Sequence, residues 1–410
     1  MGRAGAAKGG GAQAARRSPA KREDDGPSRC GSGPGGRLPD GRDEDARDAA
    51  RDDAGSCGRQ RRAPAQARRG RARDARPAPG RGRGGALAGA KLPDVEVYDL
   101  ADLKSGRRLA PIDPNRPGYG DFFDLTKALL TFYRERFGRE SYDGKGARLA
   151  VILNDMSCGG SLHDATVECL RFSETWSGKK TGGVVYEFSG IPRAPDYLAH
   201  EFQHAVTCAC SSLDYDKTDQ AALHESLSDV FAITFRHWLS AQAAPAPIDW
   251  RFGSQTAKIV PPSGLQKPCT RNLDAPGDVD AWEAGRSSIG AVTPADSAYA
   301  ASLVPSHAFR RVTARLGEDK DAAKAIDEAA RVWYAALASP EMKNVHTIQA
   351  FADLTASAAQ ALEKAGAGAP PALLDAVRGG WSEVGVAAAP GPLQNPALIA
   401  ALVAKPTGFA

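Results

Sequence analysis

The chain has 410 residues and a formal charge of +4, but it is built from two unlike parts. Before Val95 there is no Val, Ile, Phe, Trp or Tyr, and residues 1–90 carry 21 Lys+Arg against 11 Asp+Glu, whereas the rest carries 32 against 38. This excludes a packed core in residues 1–88, which lack the apolar surface to offset the entropy of ordering, and it excludes a basic folded body.

Residues 1–88 read as a disordered low-complexity tail. Its basic run "RRAPAQARRGRARDARP" (61–77) is of a kind that can touch nucleic acid. The bland reading is preferred: a solvated arm, or sequence upstream of the true start, so that nucleic acid is not an expected partner. The N-terminus shows no apolar core of a secretory signal, and no apolar run is long enough to span a membrane. Localisation and oligomeric state stay open.

From Leu92 the sequence becomes globular. Strand-like runs come first: "VEVYDL" (95–100), "ARLAVIL" (147–153) and "GGVVYEF" (182–188), interrupted by helical spacing in "DLTKALLTFYRERFG" (124–138). Helices then dominate, through "APDYLAHEFQHAVTCAC" (194–210) and 219–242 to expected helices at 305–316, 321–338, 347–364 and 371–378. Residues 387–410 form a C-terminal tail with a short apolar helix. The five cysteines of this part, Cys158, Cys169, Cys208, Cys210 and Cys269, permit two disulfides and one thiol, or none.

One stretch carries chemistry. In "HEFQH", His200 and His204 lie four apart, hence one above the other on a helix, and can present two imidazole nitrogens to one Zn²⁺. Glu201 is too close along the chain to be a third ligand in that geometry; it can hold the water that completes an open catalytic site. By itself the motif also fits a satisfied pair of surface histidines. "ALHESLSD" changes the balance: a second amphipathic helix brings Glu225 as a third ligand and Asp229, four residues on, as acceptor for a ligand imidazole.

This pattern resembles the thermolysin-like zinc metalloendopeptidases, and the resemblance covers roughly 91–386. "VYDLADLKSGRRL" (97–109), "FYRERFGRESYDGKGARL" (132–149), "TRNLDAPGD" (270–278), "VPSHAF" (304–309) and "ARVWYAAL" (330–337) are similar to successive family segments in the right order. The resemblance implies an α+β fold of two subdomains, β-rich over about 91–195 and helical over 196–386, with zinc in the cleft. It implies zinc ligands His200, His204 and Glu225, the general base Glu201, and Asp229 behind a ligand histidine. Tyr215 would steady an oxyanion and Arg271 would hold substrate carbonyls. The expected partner is a peptide or protein substrate, and relatives of this kind are often secreted.

The sequence departs from the family in three places. Asp196 and Asp249 match calcium-binding acids, but Arg236, Arg251 and Ser254 stand at the remaining matching positions. Cations cannot ligate a hard divalent ion, so that calcium cluster is expected to be lost, with Arg236 or Arg251 pairing with Asp196. Tyr299 falls where the family keeps a transition-state histidine, and no histidine occurs between His237 and His307; His307 itself reads as structural. A phenol can still donate to an oxyanion. Finally, within 154–183 both "HDATV" and "ETWSG" are candidates for the substrate-pairing edge strand, with a disulfide between Cys158 and Cys169 as one option. The expected function is a zinc metalloendopeptidase; the alternative is a zinc-binding pseudopeptidase acting as a binding or scaffold module.

Overall fold

The computed structural model describes residues 91–405, apart from 180–184, 243, 245, 261–267 and 367–371. The 1–88 tail thus lies outside the described residues. The α+β expectation holds. In the first half β1 (Val95–Asp99) leads through a short α1 (Leu100–Lys104) to the long α2 (Gly120–Phe137), followed by β2 (Leu149–Leu153), β3 (Ser161–Asp164), β4 (Cys169–Phe172), β5 (Thr175–Lys179) and β6 (Val185–Ser189). A four-stranded sheet runs in the order β1-β2-β4-β3, parallel except for β3, which pairs antiparallel at the edge with Ser161 opposite Phe172 and Asp164 opposite Cys169.

The helical half comprises α3 (Pro195–Cys210), α4 (Thr218–Ala241), α5 (Ala298–Arg315), α6 (Ala322–Leu337), α7 (Ile348–Ala365), α8 (Leu373–Glu383) and α9 (Pro396–Val403). Three small strands interrupt it: β7 (Arg251–Phe252), β8 (Ala257–Val260) and β9 (Arg271–Asn272). β8 completes a separate sheet in the order β5-β6-β8, and β7 pairs with β9. These short strands escaped the sequence reading because four residues or fewer carry no usable period.

α5 begins at Ala298, seven residues before the expected helix at 305. Ser297 caps it, its Oγ accepting from the Ala300 amide at 3.1 Å, and Pro305 is accommodated in the interior. Tyr299 therefore sits in a helical first turn rather than in a loop.

An aromatic core fixes the metal-motif helix. Tyr133, Phe202 and Phe231 are fully buried; the Tyr133 ring lies 4.9 Å from Phe202 and 6.2 Å from Phe231. Tyr133 also donates to Gln203 Oε1 at 2.6 Å, and Gln203 donates to Thr207 at 2.9 Å. These bonds set the rotation of α3 about its axis, so that His200 and His204 leave on the opposite side. Arg136 grips Asp327 with two bonds at 3.0 and 2.8 Å, and Arg331 donates both to Asp327 at 2.9 Å and to the Leu402 carbonyl at 2.9 Å. Through this network the C-terminal segment, with Leu402 fully buried, packs on the body.

Beside it lies a costly carboxylate. Both oxygens of the buried Glu328 lack a hydrogen-bond partner, and Lys324 Nζ is 3.9 Å away. Burial pushes the Glu328 carboxyl up to about 7. Because the folded value exceeds the unfolded one, the protein binds this proton more tightly than the unfolded chain does. Stability is therefore lost as pH rises from the ordinary carboxylate range through 7, by up to about 3 kcal/mol. Glu328→Gln should raise the melting temperature at pH 8 and change it little at pH 4.5. An equal effect at both pH values would show the carboxylate is not strained.

Candidate metal centre

α3 starts with Pro195 at its first position, which suits a residue without an N–H, and Asp196 in the first turn. One turn on, His200 and His204 present their Nε2 atoms 3.0 Å apart. α4, packed alongside, brings Glu225 to them: Oε2 is 3.4 Å from His200 Nε2 and Oε1 is 3.5 Å from His204 Nε2. One donor atom from each of the three residues falls within 4.8 Å of the others. The structure thus brings together the three residues expected as ligands.

The surroundings prepare these atoms for a cation. Asp229 Oδ1 accepts from His200 Nδ1 at 3.0 Å, which turns Nε2 to the centre. Burial alone would lower the His200 imidazole, but the hydrogen bond to Asp229 and the nearby Glu225 carboxylate outweigh it and push it up to about 10. Burial and the charges of His200 and His224 drive His204 well below its ordinary value. Glu225 Oε2, buried, has no hydrogen-bond partner, although it lies among cationic groups. Buried carboxylates, neutral imidazole and an oxygen without a donor suit a divalent ion of borderline softness, so the donor set fits zinc.

Glu201 is 3% exposed. Burial raises its carboxyl, opposed by the nearby charge of His200. One edge strand packs against α3, the helix that carries Glu201. Ser161–Asp164 is β3, at the edge of the main sheet, so "HDATV" begins on it, whereas "ETWSG" forms β5 in the separate small sheet. Cys158 and Cys169 are buried free thiols. Cys158 Sγ instead lies 3.0 Å from the Asp155 carbonyl, so no disulfide joins them.

Tyr215, in the loop between α3 and α4, donates its hydroxyl to Glu225, with its ring 6.4 Å from that of His204. Arg271, from β9, is 3% exposed and clamps Asp229 with bonds of 2.6 and 2.7 Å. Its guanidinium lies between the rings of Phe252, at 4.8 Å, and Tyr299, at 5.1 Å. Tyr299 is therefore at the centre's rim. His307 is directed elsewhere, to the Leu273 carbonyl at 2.7 Å.

His224 was missed. Its Nδ1 lies 2.6 Å from His204 Nδ1, the counterpart of Asp229 on His200. Spacing along the chain gave no signal for it, because neighbouring residues on a helix point to different faces, and only the packing of α4 on α3 brings His224 to His204.

Where the calcium cluster was expected to be lost, guanidinium groups stand. Arg236 pairs with the buried Asp196 at 2.6 Å, and Arg251 turns to Asp249 at 2.8 and 3.0 Å. Asp196 Oδ2 also accepts from the Gly253 amide at 2.9 Å. Gly253 has φ +74, and a Cβ there would meet Thr270 Oγ1 at 2.3 Å, so the close approach needs glycine. Removing one member of such a buried pair costs about 3–5 kcal/mol. Arg236→Ala should lower stability to chemical denaturation by that amount, and a change below about 1 kcal/mol would show that the pair does not support the fold.

A family model described as the thermolysin metallopeptidase α-helical domain matches residues 211–386. Over 108 residues the chain is 33% identical to an extracellular elastase of Staphylococcus epidermidis, a match covering 26% of this chain and 20% of the elastase. Over 284 residues it is 25% identical to the protease PrtS of a Photorhabdus species, covering 66% of this chain and 68% of that one. The fold matches the precursor of protealysin, a metalloproteinase of Serratia proteamaculans, with a TM-score of 0.57 and 20% identity over 74% of this chain and 90% of that one. The chain thus spans about a fifth of the elastase it matches, and most of the other two. The helical half of the chain, residues 211–386, thus resembles the helical domain of the thermolysin metallopeptidases, and the chain shares its fold with the protealysin precursor.

Proposed function

We propose that the protein is a zinc-dependent endopeptidase. The observation that carries this reading is the convergence of His200 Nε2, His204 Nε2 and a Glu225 oxygen beside a buried, separate carboxylate, Glu201. Zinc held by the three ligands supplies a Lewis acid that makes water acidic near neutral pH. Glu201 takes the proton of the attacking water and passes it to the departing amine. Tyr215 and Tyr299 offer phenolic donors to the oxyanion. Arg271, locked on Asp229, fixes the carboxylate that orients His200, in addition to the substrate contact the resemblance implies. Calcium has no place at Asp196, where Arg236 supplies the charge.

A pseudopeptidase reading rests on one residue, Tyr299 in place of an imidazole. The deciding experiment measures zinc content and turnover of a quenched fluorescent peptide by the full chain. One zinc per chain with hydrolysis is expected, and Tyr299→Phe should lower kcat at least about tenfold with KM little changed. Zinc without hydrolysis in the wild type, with hydrolysis appearing in Tyr299→His, would establish the pseudopeptidase. The substrate expected is a peptide or protein; among the described residues no helix is long and apolar enough to cross a membrane.

A further inference from the structure

One imidazole beside the centre has no assigned task. His163 lies on β3, two residues after Ser161, so the two side chains share one face of the strand. β3 packs against α3, the helix that carries Glu201 and His204. His163 is 5% exposed, yet its buried Nε2 has no hydrogen-bond partner. The nearest acid is Glu168, whose carboxylate is 3.8 Å from Nε2, too long for a hydrogen bond. Tyr215, the phenolic donor, lies against the same His204.

Buried donors are normally satisfied. An unmatched ring nitrogen on an edge strand next to the water-activating carboxylate has the character of a group waiting for a ligand atom. Arg271, by contrast, is stacked on Tyr299 and committed to Asp229.

From this placement we propose that His163 is a further catalytic residue, its imidazole donating a hydrogen bond from β3 to the carbonyl oxygen of the scissile peptide as that oxygen gains charge. The ligand class is a peptide group passing through a tetrahedral, anionic geometry. Glu168 is then a positioning residue, its carboxylate holding the ring by charge rather than by a bond. No proton need leave His163, so the step adds none to those carried by Glu201.

This inference rests on the peptidase reading, and its test separates the two. The probe is a phosphonamidate tripeptide, which mimics the tetrahedral geometry and binds without being turned over. The proteins are wild type, His163→Phe and His163→Gln, each with zinc content measured. His163→Phe should keep one zinc and bind the phosphonamidate about 10- to 100-fold more weakly, as expected for loss of one preorganised donor. His163→Gln, which retains an N–H, should recover most of that affinity. Where the wild type hydrolyses peptide, kcat should fall in parallel with KM little changed. Phosphonamidate affinity within twofold of wild type in zinc-loaded His163→Phe would overturn the proposal, and so would loss of zinc from that variant, which would make His163 a structural support. A wild type that binds the phosphonamidate through His163 but hydrolyses nothing would uphold this contact and overturn the peptidase reading.

Discussion

Glu201→Gln should retain one zinc per chain and lose at least about 10³-fold in kcat. Positioned acid–base groups contribute about 10²–10⁴, and in the proposed mechanism this residue serves twice, first accepting the water proton and then donating to the amine. The substitution is close to isosteric. Glutamine still fills the buried position beside His200, so the fold has no reason to respond. What it lacks is basicity. Peptide turnover and metal analysis on the same preparation check this, and a variant retaining more than a tenth of wild-type turnover would remove Glu201 from the chemistry.

Removal of a ligand should have the opposite signature. His204→Ala should lower zinc content from about one to near zero after dialysis against a weak chelator, because three protein ligands are the set for a catalytic site. Glu225→Ala should do the same at greater structural cost, since the hydroxyl of Tyr215 loses its acceptor and Arg271 Nη2, 3.6 Å from Glu225, loses a counter-charge. Asp229→Asn should be milder. It weakens the acceptor for His200 Nδ1 and one side of the Arg271 clamp, and groups behind a ligand typically cost 10–100-fold in metal affinity. Competition with a calibrated chelator ranks the three, and full zinc in His204→Ala would overturn the ligand assignment.

The pairing of Arg236 with Asp196 carries a related expectation. Without a bound ion linked to folding, millimolar Ca²⁺ should leave the melting temperature unchanged. A rise of several degrees, absent with Mg²⁺, would reveal a calcium site elsewhere.

Much of the centre was legible in the primary structure because helical spacing is a local rule. Four residues make one turn, so His200 with His204 and Glu225 with Asp229 each share a face whatever surrounds them. The long amphipathic segments were legible for the same reason, and their helices start within a few residues of expectation except at α5, where the Ser297 cap outweighs the breaker Pro305. Charge identity was legible too: two arginines among expected calcium ligands already argued for an internal ion pair. Which of them reaches Asp196 was not, because Arg236 and Arg251 are equally long, and only the packing of α4 against α3 gives the buried place to Arg236.

Tertiary structure decided whatever depends on two distant segments meeting. The strand β3 is too short to declare itself, and its place beside Glu201 follows from antiparallel pairing with β4 at the edge of a sheet. The contact of His224 with His204 and the packing of the His163 strand on α3 are likewise invisible along the chain. The sequence alone determined which residues could hold a metal, since spacing along a helix is set by its own hydrogen bonds. Only the tertiary structure decided which imidazoles, phenols and guanidinium groups surround that metal's place, since those contacts are set by how helices and strands pack.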